Sequence, residues 1–285
     1  MKNSSKRNSQ RPTAKPDDDR TYKPASAIIL AGSRPAGDPM AQARGVAVKA
    51  LIPVAGKAML THVAEALLDH EAIGELHLLA QDFGPFWTHP DTRALQSDER
   101  VKAKTSSATI AASLDGALRR NDMNFPVLIT TADNVLLNAQ MIDDFLTAAE
   151  TADIAIAVVE KQTLLRRYPE SRRTWLKLRG GQYSGANLFY FGNPKARQIL
   201  EYWAEVEQDR KKGWKILTIF GPWLLFLAVT RMLSIDRLAS RVGKKLGLNI
   251  KIVPMRQAEA CIDVDKDSDL EMAEQIIAGR ASTAA

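Results

Sequence analysis

Cysteine is almost absent from this chain: Cys261 stands alone. A lone thiol excludes an intramolecular disulfide and suits a reducing compartment, so the expectation is a cytoplasmic protein. The apolar neighbours of Cys261 suggest a strand, with the thiol serving as a small core residue. Histidine is scarce too. Residues 62, 70, 77 and 89 have neither helical metal-ligand spacing nor cysteine partners, which argues against a zinc site. The net charge is +6, yet the basic stretches lack interleaved aromatics and no groove-reading helix pattern occurs. No nucleic-acid partner is therefore expected. Nor is there an uninterrupted apolar run of the roughly 20 residues that span a bilayer. The most apolar stretch, Trp214–Leu233, is broken at Gly221-Pro222. The first residues lack the apolar core of a secretory signal.

What is present suits one large α/β domain. The chain has 285 residues, 45% of them hydrophobic and 25% charged, enough for a sizeable core. Residues 1–24 are polar, without apolar periodicity, and read as a disordered tail. Residues 25–285 read as the domain, with a helical, apolar insertion at about 208–247. Within the insertion, 214–233 admits two readings. One is a helical segment packed on the domain. The other is a peripheral contact at the inner face of the membrane, suited by two tryptophans, a leucine-rich face and flanking Lys/Arg.

The apolar run Ala27–Leu30 predicts a strand buried on both faces. Met59–Leu68 carries a helical stripe, and Leu76–Ala80 reads as the next strand. Phe83–Arg100, with Pro85 and Pro90, reads as a surface loop. Pro126–Thr131 forms a strand that delivers Asp133 just past its C-terminal end, where open α/β sheets bind ligands. Asn138 is better placed than Asp133 to cap the helix over Met141–Ala149. Further strands are expected at Ile154–Val159, across the stretch that holds Gly185 and Asn187, and at Ile250–Val253. A last helix follows Asp263 and Asp265.

Several residues carry chemistry. The turn Leu30-Ala31-Gly32-Ser33 offers backbone N–H groups that can hold phosphate. Arg34, Arg44 and Lys49 add positive charge at the same edge. Carboxylates such as Asp133 suit magnesium, which takes oxygen ligands and keeps several waters. Asp263 and Asp265 lie too far upstream of the last helix for its dipole to explain them. The hydroxyls of Ser106–Thr109 serve either as a helix cap or as ligands. Gly185 and Asn187 mark either a hairpin edge or a substrate face.

The string from Ala27 to Ser33, followed by Lys49-Ala50-Leu51-Ile52-Pro53-Val54-Ala55-Gly56-Lys57-Ala58-Met59-Leu60, resembles the signature of MobA-like NTP transferases. In that family Leu-Ala-Gly-Gly and an arginine precede Lys-x-Leu-x-Pro-Val-x-Gly-Lys-Pro-Met-Leu. Ala132-Asp133-Asn134 and Cys261-Ile262-Asp263-Val264-Asp265 are similar to the family's two acidic motifs. The resemblance implies a Rossmann-like three-layer α/β/α sandwich with a mostly parallel sheet. It also implies Mg-dependent transfer of the nucleoside monophosphate part of an NTP to a phosphorylated small-molecule acceptor, with release of pyrophosphate. By the same resemblance Lys49 and Arg34 are catalytic, and Leu30, Ala31, Gly32, Ser33 and Ser107 bind nucleotide. Gly185 and Asn187 face the acceptor, and Asp133 and Asp263 hold Mg²⁺, with Asp265 as the alternative second ligand. Ser33 replaces the second glycine, and the loop to Lys49 is long, so Arg44 competes with Arg34 for the arginine's role. Ala58 and Asn134-Val135 replace family prolines. CTP and GTP both remain open. A GT-A glycosyltransferase is the alternative, though Ala-Asp-Asn stands where Asp-x-Asp is expected; an inactive nucleotide-binding module is another.

Overall fold

A stretch such as Ala27–Leu30 has no polar face to turn outward, so it can only lie in the middle of a covered sheet. The computed structural model describes residues 24–33, 37–119, 123–208 and 233–284. Arg34 and 214–232 lie outside the described residues, as does the tail up to residue 23. The strands are Ala25–Leu30 (β1), Pro53–Val54 (β2), Lys57–Ala58 (β3), Ile73–Ala80 (β4), Val101–Thr105 (β5), Val127–Thr131 (β6), Ile154–Glu160 (β7), Leu176–Leu178 (β8), Gly181–Phe191 (β9) and Ile250–Pro254 (β10). Eight of them form one sheet in the order β10-β7-β9-β6-β1-β4-β5, with β8 paired to β9. β1 lies between β4 and β6, parallel to both. β9 runs antiparallel to its neighbours β6 and β7.

Alternation along β1 feeds two cores. Ala27 and Ile29 point into one, with Leu60, Val63 and Leu67 of the helix Met59–Leu68 and Ile142 and Phe145 of the helix Ala139–Ala149. Leu270 and Ala273 of the helix Asp267–Ala284 close the same side. Ile28 points the other way, toward Leu114 of the helix Ile110–Arg119, Leu200 of Gln198–Gln208 and Leu246 of Ile235–Leu246. The result is a three-layer α/β/α sandwich with a mostly parallel sheet, as expected. Ile235–Leu246, the described end of the region read as an insertion, packs Ile235 against Val158 and Leu178 of the sheet. Among the described residues no helix is long and apolar enough to cross a membrane.

Two expectations need correction. Phe83–Arg100 is not a surface loop: it holds the short helix Gly84–Thr88 and a 3₁₀ turn at Arg93–Gln96. Pro85 sits in the first helical turn, where its missing N–H costs no bond. The segment also buries Phe86, whose carbonyl accepts from Thr92 Oγ1 at 2.6 Å. Cys261 lies not in a strand but at the end of the 3₁₀ turn Ala258–Cys261, although it is buried as foreseen.

Within the Lys49–Leu60 stretch, β2 and β3 pair through the two-residue turn Ala55-Gly56. Both residues have positive φ, 49° and 82°, which a type I′ hairpin requires. Glycine meets that demand freely. An L-residue in this region costs about 1–2 kcal/mol, which asparagine partly escapes. Ala55→Asn at this exposed position is expected to stabilise the fold by about 0.5–1 kcal/mol, read as a raised urea midpoint with an unchanged m-value.

Candidate active site

The C-terminal ends of β1, β4 and β6 stay in register and form one edge of the sheet. Ala31 N–H reaches back to Leu79 O, and Ala132 N–H to Leu30 O. Asp133 follows immediately, its carboxylate oriented by Thr131 Oγ1 at 2.5 Å. Opposite it, Val264 N–H donates to Asp133 O at 3.1 Å, which draws Asp263 and Asp265 to the same edge. Carboxylate oxygens of Asp133, Asp263 and Asp265 lie within 4.8 Å of one another.

Lys49 opens a 3₁₀ turn, and its Nζ sits 2.6 Å from both Asp133 Oδ2 and Asp265 Oδ1. Burial works against the Lys49 ammonium, but the two aspartates outweigh it and hold its pKa above the ordinary lysine value. Asp265 feels burial too, yet contact with Lys49 brings its pKa below the usual range. Asp263 moves the opposite way. Burial, with repulsion from Asp265 and Asp133, outweighs the nearby Arg173 and raises it.

Asn187 reaches this cluster through an irregularity in the sheet. Ile156 and Val158 of β7 pair with Phe189 and Gly185 of β9, so β9 carries extra residues between them. Bulges of this kind re-aim side chains. Asn187 takes φ 46° there, its carbonyl accepting from Thr130 Oγ1 at 2.9 Å and its Nδ2 donating to Asp263 Oδ2 at 3.0 Å. Asn134, first of the pair Asn134-Val135 that replaces the family's proline, is buried and bonds both Thr130 Oγ1 and Ala186 O, tying the bulge to β6. Gly185 is exposed, with no heavy atom within 4 Å of where a Cβ would stand.

Leu30 and Ala31 lead into the turn at Gly32 and Ser33, where Gln81 forms a two-point amide clamp. Ser33 N–H donates to Gln81 Oε1 at 2.8 Å, and Gln81 Nε2 to Ser33 O at 3.2 Å. A Cβ on Gly32 would stand 3.0 Å from that carboxamide, so a larger residue would have to push the clamp aside. Across the edge, Ser106 N–H reaches Ala80 O. Thr109 Oγ1 accepts from Ala112 N–H at 3.1 Å and so takes the capping role. Ser107 stays exposed, its N–H held by Ser113 Oγ at 2.8 Å. Arg44 binds Asp267 Oδ1 at 2.6 Å at the start of the last helix. Lys49, Asp133, Asp263, Asp265 and Asn187 are thus brought together, while Ser33 and Ser107 border the same edge. Sequence reasoning missed Thr131, Gln81 and Arg173, which hold Asp133, Ser33 and Asp263 in place.

The donor set fits a hard divalent cation: three carboxylates, with no sulfur or imidazole among them. Among the described residues, Asp133, Asp263, Asp265 and the adjacent Asp269 pair with Lys49 and Arg173 alone. Four carboxylates against two cations leave two negative charges, which one divalent ion balances.

Residues 27–232 match the family model of the MobA-like NTP transferase domain. The chain belongs to that family. This MobA-like NTP transferase is therefore a nucleotidyltransferase. A solved structure described as a hypothetical transferase from Thermus thermophilus is 25% identical, with a TM-score of 0.71 over 86% of this chain and 99% of that one. A 4-diphosphocytidyl-2C-methyl-D-erythritol synthase from Anaerococcus prevotii shares the fold at 13% identity and TM-score 0.53, covering 90% of this chain and 96% of that one. So does a CMP:2-keto-3-deoxy-manno-octonic acid synthetase in complex with CTP, at 13% identity and TM-score 0.56, covering 90% and 99%. No curated protein sequence matches the chain significantly.

A separate cavity of about 830 Å³ lies between Tyr168 and the last helix, lined among others by Arg167, Glu170, Met272 and Arg280. None of the described site residues expected of the MobA-like transferase is among the residues that line it. Its Arg280 is already committed to Leu136 O and Glu259. Cys261, two residues before Asp263, is no nucleophile. Burial, aided by the Asp263 charge, pushes its thiol up to about 12. Thiol reagents at pH 8 are expected to label it at least about a hundredfold more slowly in the native protein than in urea.

Proposed function

We propose that this chain is a Mg-dependent nucleotidyltransferase that joins the nucleoside monophosphate part of CTP or GTP to a phosphorylated small-molecule acceptor and releases pyrophosphate. The observation that carries the reading is the cluster at the C-terminal edge of the sheet. There one lysine bonds two of three clustered carboxylates beside a backbone turn able to take phosphate.

An acceptor phosphate oxygen, already ionised, attacks the α-phosphorus as the bond to the bridging α–β oxygen breaks and pyrophosphate leaves. No strong general base is required, so catalysis rests on alignment and charge neutralisation. Lys49 presents a compact ammonium to the charge that grows on the α-phosphate. Ala31 N–H is held by Leu79 O and Ser33 N–H by Gln81, so in the turn Leu30–Ser33 the backbone donor left to the nucleotide phosphates is that of Gly32, with Leu30, Ala31 and Ser33 shaping the turn around it, and Ser107 lies against the nucleoside. Arg34 is assigned the β/γ-phosphates from the sequence pattern alone, because Arg44 is engaged by Asp267. Asp133 and Asp263 would hold the metal, Asp265 steadies Lys49, and Gly185 and Asn187 leave room for the acceptor and orient it. When bound, Mg²⁺ supplies Lewis-acid neutralisation of the triphosphate oxygens.

The test is a screen of the four NTPs against phosphorylated acceptors, scored by pyrophosphate. Metal-dependent release with CTP or GTP is expected. Turnover of a nucleotide-sugar without pyrophosphate would make the protein a glycosyltransferase instead.

A further inference from the structure

Arg173 comes from a stretch with seven lysines or arginines between 161 and 179, and nothing local singles it out. Its surroundings do. The side chain is 10% exposed, Nη1 hydrogen-bonds Asp263 Oδ1, and Nη2 donates to the Asp263 main-chain oxygen at 2.9 Å. The other carboxylate oxygen of Asp263 accepts from Asn187 Nδ2. Both oxygens are therefore taken. Lys49 differs: it holds two carboxylates and can keep Asp265 when a metal takes Asp133. Arg173 has no second carboxylate at hydrogen-bond distance among the described residues, since Asp269 lies 3.7 Å away. Its Nε is buried with no hydrogen-bond partner among the described residues, so the guanidinium is incompletely satisfied where it sits.

We propose that Arg173 is the resident counter-ion of Asp263 and competes with the divalent cation for that carboxylate, so that metal entry and release of Arg173 are one event. The main-chain bond to Asp263 remains as a pivot. The freed Nη1 then lies beside Asn187 Nδ2, the other donor to the same carboxylate, where an anionic group of the acceptor can take it. Arg173 thus acts on metal binding through Asp263, as a positioning residue, and delays a cationic acceptor site until the metal is in place. The inference rests on the assignment of Asp263 as a metal ligand.

The sign of the effect separates this role from a merely structural one. Even at the dielectric of bulk water, a like charge several ångströms from a divalent cation costs roughly tenfold in affinity. If Arg173 competes, its removal tightens metal binding. If it only props up Asp263, its removal loosens it. The experiment titrates full-length protein without nucleotide with Mn²⁺ alone, by calorimetry and by paramagnetic resonance of free Mn²⁺, comparing wild type, Arg173→Gln and Arg173→Lys. Arg173→Gln is expected to bind Mn²⁺ at least about tenfold more tightly than wild type and to show the larger Mn²⁺-induced rise in Tm. Arg173→Lys keeps the charge but loses the fork, and should fall between the two; it carries the test should the Gln variant not fold. Unchanged or weaker Mn²⁺ binding in the variants, with wild type binding normally, would overturn the proposal alone. Failure of wild type and both variants to bind Mn²⁺ would overturn it together with the assignment of Asp263.

Discussion

Lys49→Ala is expected to lower kcat/KM by at least about a hundredfold, the scale of losing one preorganised donor to a charge that develops in the transition state. The lysine is held in place before any ligand arrives. Its Nζ lies 2.6 Å from both Asp133 and Asp265, and its side chain is only 20% exposed. Such a group meets the growing charge on the α-phosphate without first reorganising. The loss should fall on kcat more than on KM for nucleotide, because the triphosphate keeps its other contacts. Lys49→Arg should not restore the rate, since a planar fork does not replace a compact point charge between two carboxylates. Removing the lysine leaves Asp133 and Asp265 without it, but Asp133 keeps its hydrogen bond from Thr131 Oγ1, and Asp265 is 60% exposed and can turn to water. The fold should therefore persist, as circular dichroism would show. Near-normal turnover of the alanine variant would take Lys49 out of the mechanism.

The second large effect belongs to Asp133. Asp133→Asn preserves shape and can still accept from Thr131, yet it removes the negative charge that a metal and Lys49 share. It is expected to reduce metal-dependent turnover to background and to weaken Mn²⁺ binding at least about tenfold. Asp265→Asn should cost less, because Asp265 is far more exposed than Asp133. Full activity in Asp133→Asn, with Mn²⁺ affinity intact, would assign the metal to Asp263 and Asp265 without Asp133.

Much of this arrangement could be read from local pattern. Ala27–Leu30 had to be a buried strand because it has no polar face, and the strand before Asp133 places that aspartate at the sheet's ligand-binding edge. Separating Asp133 from the helix cap was also possible, since Asn138 lies closer and indeed caps, accepting from Met141 N–H at 3.0 Å. What local pattern could not carry is convergence. Arg173 meets Asp263 across 90 positions of sequence, and Gln81 meets Ser33 across 48. Neither pairing leaves a periodicity. Asn187 was legible as a polar residue in a strand, but the bulge that turns it toward Asp263 arises from mismatched pairing with β7. The prolines of Phe83–Arg100 misled for a physical reason: proline marks a helix start as readily as a loop.

The most direct test of the central claim is anomalous diffraction from crystals soaked with Mn²⁺ and a non-hydrolysable CTP or GTP analogue. The account predicts a manganese peak bridging carboxylate oxygens of Asp133 and Asp263, with the α-phosphate within hydrogen-bond reach of Lys49 Nζ. Manganese away from these carboxylates, or the nucleotide seated in the cavity beside Arg280, would contradict it.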